Sequence, residues 1–122
     1  FMYKYLEELV IHAKKTGYEY TYITTNGALA TKDRMRTLIA GGLDSIKFSV
    51  NAGTAETYKK IHGKDEFDKV IQNIFDTIAL RNTLKKDLVV FASCVETNLN
   101  SSEIEILKNV LRGGGVDREL NV

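Results

Sequence analysis

Polar side chains at the ends of two predicted strands are the groups in this sequence best suited to hold a ligand. Thr24 and Asn26 close the run YTYITTNG, and Ser49 and Asn51 close DSIKFSVNAG. Hydroxyls and carboxamides donate and accept hydrogen bonds but do not ionise near neutral pH, so alone they bind and orient rather than act as acids, bases or nucleophiles. The same residues also suit turns. Asn26-Gly27 and Asn51-Ala52-Gly53 are turn sequences, and Thr24 and Ser49 can simply fill a polar face. Spacing leaves both possibilities open.

Other chemistry-bearing residues have simpler explanations. Gly113-Gly114-Gly115 closes a predicted helix, whereas a phosphate cradle follows a strand and opens a helix. His12 and His62 are too far apart to form a spaced ligand pair, and each falls in an amphipathic stretch, which predicts helix-surface roles. Cys94, the only cysteine, sits in a β-rich apolar segment with no histidine nearby in sequence, so it is predicted to be a small core residue. The carboxylates of Ser102-Glu103 and Glu66-Asp68 fall at helix starts, where the helix dipole favours negative charge. No lysine or acid–base pair stands at a strand end, which argues against an aldolase-like site.

The elements that must position these groups fit one domain spanning residues 1–122, with 43% apolar and 27% charged residues. A chain of this length buries roughly two-thirds of its unfolded surface, so it needs neither disulfide nor metal to hold a core. With 17 Lys and Arg scattered among 16 Asp and Glu, no field gathers nucleic acid or an anionic membrane. No apolar run approaches the roughly 20 residues of a membrane span, and no secretory signal pattern opens the chain. A cytoplasmic protein is expected. The start at Phe1-Met2-Tyr3, already inside a predicted helix, leads us to expect a chain cut from something longer.

Helical spacing marks Tyr3 to Lys15, a segment starting near Thr31 that carries Met35, Leu38 and Ile39, and a short stretch from Thr54 to Gly63. The clearest helix has Phe67, Val70, Ile71, Ile74, Phe75 and Ile78 on one face, with Asp65 as its predicted cap. Asn100 and Glu103 form a capping-box pattern before Ile104, Leu107, Val110 and Leu111. Strands are predicted over Tyr20 to Thr25, Asp44 to Asn51 and Leu88 to Thr97, with a fourth over Val116 to Val122. Regular alternation without hairpin signals predicts an α/β fold: a parallel sheet of three to four strands with right-handed βαβ crossovers.

The second strand alternates strictly, with Ile46, Phe48 and Val50 on one face and Ser45, Lys47, Ser49 and Asn51 on the other. A doubly wound sheet would be apolar on both faces. A barrel instead turns one face to a lumen whose upper end holds the ligand, so a fragment of a barrel is expected. A whole (β/α)8 barrel takes about 250 residues.

The run from Ile23 to Ile74 resembles the middle of the radical S-adenosylmethionine (radical SAM) enzymes. Thr25-Asn26-Gly27, Gly42-Leu43-Asp44, Ser49-Val50-Asn51, Tyr58 to Gly63 and Phe67 to Ile74 occur in that family's order. The likeness covers roughly residues 1 to 111. It implies that Thr24 and Asn26 end the third strand of a partial (β/α) barrel, near the methionyl and ribose end of S-adenosylmethionine. Ser49 and Asn51 match a fourth-strand pair that bonds the ribose, and Thr97 and Asn98 match a region near the adenine. The family reduces a [4Fe-4S] cluster held by Cys-x-x-x-Cys-x-x-Cys, cleaves S-adenosylmethionine, and abstracts hydrogen from substrate with the resulting radical.

That cysteine loop is absent here, as is the Gly-Gly-Glu-Pro segment that would lie just before Phe1. No cluster or cofactor is therefore expected on this chain alone, which would be inactive and would depend on the remainder of its parent polypeptide. The substrate is not indicated. A free-standing α/β ligand-binding or interaction module remains the alternative. Open strand edges predict self-association, with Tyr20, Tyr22 and Val95 adding apolar surface.

Overall fold

The computed structural model describes residues 6–121, with side chains through Glu119. The predicted helix start at Tyr3 and strand end at Val122 lie outside the described residues. The elements in chain order are α1 (Leu6–Lys15), β1 (Tyr22–Thr25), α2 (Lys32–Ala40), β2 (Ser45–Ser49), α3 (Ala55–His62), α4 (Phe67–Leu84), β3 (Val89–Cys94), a 3-10 turn (Ser101–Glu103), α5 (Ile104–Gly113) and β4 (Arg118–Asn121). The strands form one sheet in the order β1-β2-β3-β4. All three pairings are parallel, as successive βαβ units require.

Helices cover one face of this sheet. Ile46, Phe48 and Val50 are fully buried there with Val90 and Ala92, against Met35, Leu38 and Ile39 of α2 and Val70, Ile74 and Ile78 of α4. Each of these side chains larger than alanine contributes about 1.5–3 kcal/mol by leaving water. A slip of one residue would turn Ile46 and Phe48 of β2, and Val50 just after it, to the other face, so this burial sets the register. Ile71 and Phe75, predicted on the same stripe of α4, are only half-buried. Phe75 supports the chain after α5, where a Cβ on Gly114 would stand 2.0 Å from its ring, so only glycine fits.

The strands are shorter than predicted because side chains take over their terminal backbone groups. Asp44 Oδ2 accepts the Thr21 N–H at 2.7 Å, and β1 begins after it. Beyond β3, Asn51 Oδ1 accepts from Val95 N at 2.9 Å, and Asn100 Nδ2 donates to Val95 O at 2.8 Å. No strand bond remains for Val95 to make. The caps differ too. Thr31 and Glu66, not Asp65, precede α2 and α4, and neither side chain bonds the helix start. Thr54 does cap α3, its hydroxyl accepting from Thr57 N at 3.3 Å.

Three carboxylates tie separate segments together, one between two helices and two at loops. Arg34 bonds Glu7 and holds its carboxyl below the usual 4.5. Burial works against ionisation of Asp44 and Glu103, yet their partners outweigh it: Thr21 and Lys14 for Asp44, and Thr57, Gly53 and Thr54 for Glu103. Carboxyls with lowered folded pKa values add stability that is complete above their unfolded pKa values and lost as pH falls through the lowered ones. Urea midpoints should therefore be flat from pH 7 to about 5 and decline below that. Asp44→Asn should flatten part of the decline, and a midpoint that holds steady down to about pH 3 would refute this assignment.

Candidate functional site

The face away from the helices is polar at its upper edge. Register places Thr24 beside Lys47, Lys47 beside Phe91, and Ser49 beside Ser93, all pointing to this open side. Ser49 Oγ lies 3.3 Å from Ser93 Oγ, so the C-terminal end of the sheet carries a pair of adjoining hydroxyls. Ser93 was not singled out from sequence. The period of two along β3 is the available signal, but the apolar Val89 and Phe91 on the same face as Ser93 hide it.

The two asparagines serve both as turn residues and as donors. Asn26 Oδ1 accepts from Ala28 N at 3.1 Å, and Thr25 Oγ1 accepts from Gly27 N at 3.0 Å. Gly27 takes φ 92°, and its carbonyl accepts from the buried Asn73 Nδ2 at 2.8 Å. Asn51 adopts the left-handed φ of 65°, and its Oδ1 is committed to Val95 N. The turn explanation thus accounts for the Asn26 oxygen, whereas the Asn51 oxygen ties two loops together. Among the described residues, each NH2 group has no partner and remains a donor for a ligand.

Asn100 ties the loop after β2 to the loop after β3. Fully buried at 0% exposure, it donates from Nδ2 to Asn51 O and Val95 O, both at 2.8 Å, and accepts at Oδ1 from Thr97 N, also at 2.8 Å. Glu103 adds a second tie: its carboxylate accepts from Gly53 N at 2.9 Å and from the hydroxyls of Thr54 and Thr57. The predicted capping box is therefore corrected. Both side chains serve the neighbouring loop, where Gly53 approaches so closely that a Cβ would lie 2.7 Å from Glu103 O. Thr97 spends its hydroxyl on Leu99 N at 3.2 Å, and Asn98 is exposed beside it. Thr97 and Asn98 thus stand on the loop tied to Asn51, while Thr24 and Asn26 stand on β1 and the loop after it.

Two clefts meet at Thr24. One of about 290 Å³ at the end of β1 is also lined by Thr25, Asn26, Lys64, Glu66 and Lys69. The other, about 270 Å³ on the open face, includes Tyr20, Tyr22, Ser45, Lys47 and Phe91.

The residues present do not fit a metal cluster. Burial pushes the Cys94 thiol above its ordinary range, and Asn100 Nδ2 lies 3.6 Å from its sulfur. No group of three His, Cys, Asp or Glu side chains converges among the described residues. His62 is occupied structurally, stacking on Tyr58 with ring centres 4.2 Å apart, with Nε2 at 2.9 Å from Val50 O. No helix among the described residues is long and apolar enough to cross a membrane.

Removing the Asn100 amide would leave the Asn51 and Val95 carbonyls and the Thr97 N–H without their partner. Asn100→Ala should therefore cost about 2–3 kcal/mol in urea unfolding and speed exchange of the Thr97 amide. An unchanged midpoint with unchanged exchange would show that these loops hold their shape without it.

The model of the Radical SAM superfamily matches residues 1–79, a stretch that includes Thr24, Asn26, Ser49 and Asn51. Probable GTP 3',8-cyclases of Saccharolobus solfataricus (strain P2) and Saccharolobus islandicus (strain Y.N.15.51) are 45% identical over 73 residues, covering 60% of this chain. The chain spans 23% of the length of each of these relatives. Among solved structures, 2,3-dimethylmalate lyase, a PEP mutase/isocitrate lyase superfamily member, aligns with a TM-score of 0.65 at 14% identity, over 95% of this chain and 39% of its own. That likeness concerns the fold alone and agrees with a section of a partial barrel wall. By its match over more than half its length, the chain belongs to the Radical SAM superfamily.

Proposed function

We propose that this chain is the central part of a radical SAM enzyme, with β1 to β4 as the third to sixth strands of its barrel and a cytoplasmic setting. In this reading its upper edge forms part of the wall around S-adenosylmethionine. Ser49 and the Asn51 NH2 group bond the ribose, Thr24 and Asn26 stand near the methionyl end, and Thr97 and Asn98 near the adenine. The observation that carries this is the placement of Ser49 and Asn51 at the C-terminal edge of β2, inside the stretch that matches the family. Parallel α/β proteins bind ligands at that edge.

The cysteines for a [4Fe-4S] cluster would come from the remainder of the parent polypeptide, and this chain alone would carry out no reaction. The matched relatives are named for GTP, which makes GTP the first substrate to try with the parent. Neither nucleic acid nor membrane is a partner in this reading.

With the cluster-side chelate missing, S-adenosylmethionine should bind with a Kd of about 1 mM or weaker, worth only about 4 kcal/mol. In an NMR titration the amides of Thr24–Asn26 and Ser49–Asn51 should shift, and Ser49→Ala should weaken the response at β2. Saturating cofactor that leaves these amides unmoved would overturn the assignment, while micromolar binding would show a more self-contained site.

The isolated chain should also self-associate. Tyr22 and Tyr20 are 69% and 60% exposed and Val95 is 50% exposed, on or near the open face, and β1 and β4 are edge strands. Light scattering should give a mass that rises above 13.7 kDa with concentration. A mass constant at that value would refute it.

A further inference from the structure

Among the described residues, half-buried lysines and arginines come with carboxylates, with one exception. Among the described residues, Lys14 lies 3.0 Å from Asp44, Arg34 2.7 Å from Glu7, Arg81 2.5 Å from Asp117 and Lys108 3.8 Å from Glu105. Lys47 is half-buried as well, yet no carboxylate or hydrogen-bond acceptor meets it. It stands in the middle of β2 on the open face, where its stem lies in the cleft with Tyr22, Thr24 and Phe91.

The strands leave this face with a one-sided charge. Their only acidic residue is Glu119, which pairs across register with Ala92 on the helix-covered side and bonds Arg112 at 3.0 Å. Arg118 pairs with Phe91 and so shares the row of Lys47. Among the described residues, the strands thus present two cations and no carboxylate to the open face, although the chain as a whole is nearly neutral. A partly desolvated charge is costly unless something opposite meets it, and a lysine serves phosphate well as a point charge.

We propose that Lys47 is the anchoring cation for a phosphoryl group of a ligand lodged on the open face, which makes the substrate class of this site a phosphorylated compound. This rests on the cofactor reading above and deepens it. Lys47 lies two residues below Ser49, roughly 6.6 Å down the strand. It meets a ligand group beneath the row assigned to the cofactor. Arg118 supplies further positive charge from two strands away, and the Thr24 hydroxyl is a neighbouring donor. A doubly charged phosphoryl group satisfies such a face better than a single carboxylate.

The test is an NMR titration of the full chain with 13C-labelled lysine, using inorganic tripolyphosphate, GTP and succinate as probes. Tripolyphosphate and GTP should shift the Lys47 ε-methylene and the Phe91 amide. Lys47→Gln should weaken that binding at least fivefold, and Lys47→Arg should stay within twofold of the parent. Lys85→Gln, a substitution at the exposed end of α4, should have no effect. Succinate binding as strongly as tripolyphosphate would overturn the phosphoryl assignment, and an equal effect from Lys85→Gln would reduce it to general charge attraction. If S-adenosylmethionine shifts Ser49 and Asn51 while Lys47 ignores both phosphates, this inference fails and the cofactor assignment stands. If the phosphates move Lys47 but S-adenosylmethionine moves nothing, the cofactor assignment alone fails.

Discussion

Burial of Ile46, Phe48 and Val50 against α2 and α4 is the constraint on which the rest of the molecule depends. Because side chains alternate along a strand, committing these three to the helices sends Ser45, Lys47 and Ser49 to the opposite face. Parallel pairing with β1 and β3 then carries the alternation outward in register. Thr24, Phe91 and Ser93 are thereby placed on the open face. The polar face is thus a consequence of the apolar one.

The strand ends need a different kind of support, since backbone beyond a strand has no ladder to join. Asn51 stands in left-handed backbone, and its neighbours Val95 and Thr97 have backbone groups to satisfy. Asn100 and Glu103 meet that need from the following loop, with a carboxamide and a carboxylate reaching across about 50 residues of sequence. The outcome is a rigid rim above a sheet whose other face is packed. Rigid placement of donors is what a binding edge requires, because a ligand then orders few side chains on arrival.

Membership in the Radical SAM superfamily gives this rim a context that its own residues do not supply. Hydroxyls, carboxamides and one unpaired lysine can hold and orient a ligand, but none is a redox centre or a strong acid or base. The donor set does not fit an iron–sulfur cluster, and the chain spans only 23% of its curated relatives. In the reading proposed above, its contribution is wall and anchor, and the reactive centre belongs to the rest of the parent.

Much of this was legible in the sequence because it is local. Element order follows from short-range periodicity and from stops such as Gly63 at α3, where φ of 76° demands glycine or a similar residue. The two faces of β2 follow from its period of two, and Thr24, Asn26, Ser49 and Asn51 follow from where the strands stop. Tertiary structure alone decided what depends on residues far apart in the chain. The meeting of Ser49 with Ser93, the diversion of Asn100 and Glu103 from helix capping to loop tying, and the transfer of Val95 from strand to loop all come from contacts between separate βαβ units. So does the isolation of Lys47. A sequence with nearly equal numbers of both charges does not reveal which of them meet, because pairing is decided by which side chains packing brings within a few ångströms of each other.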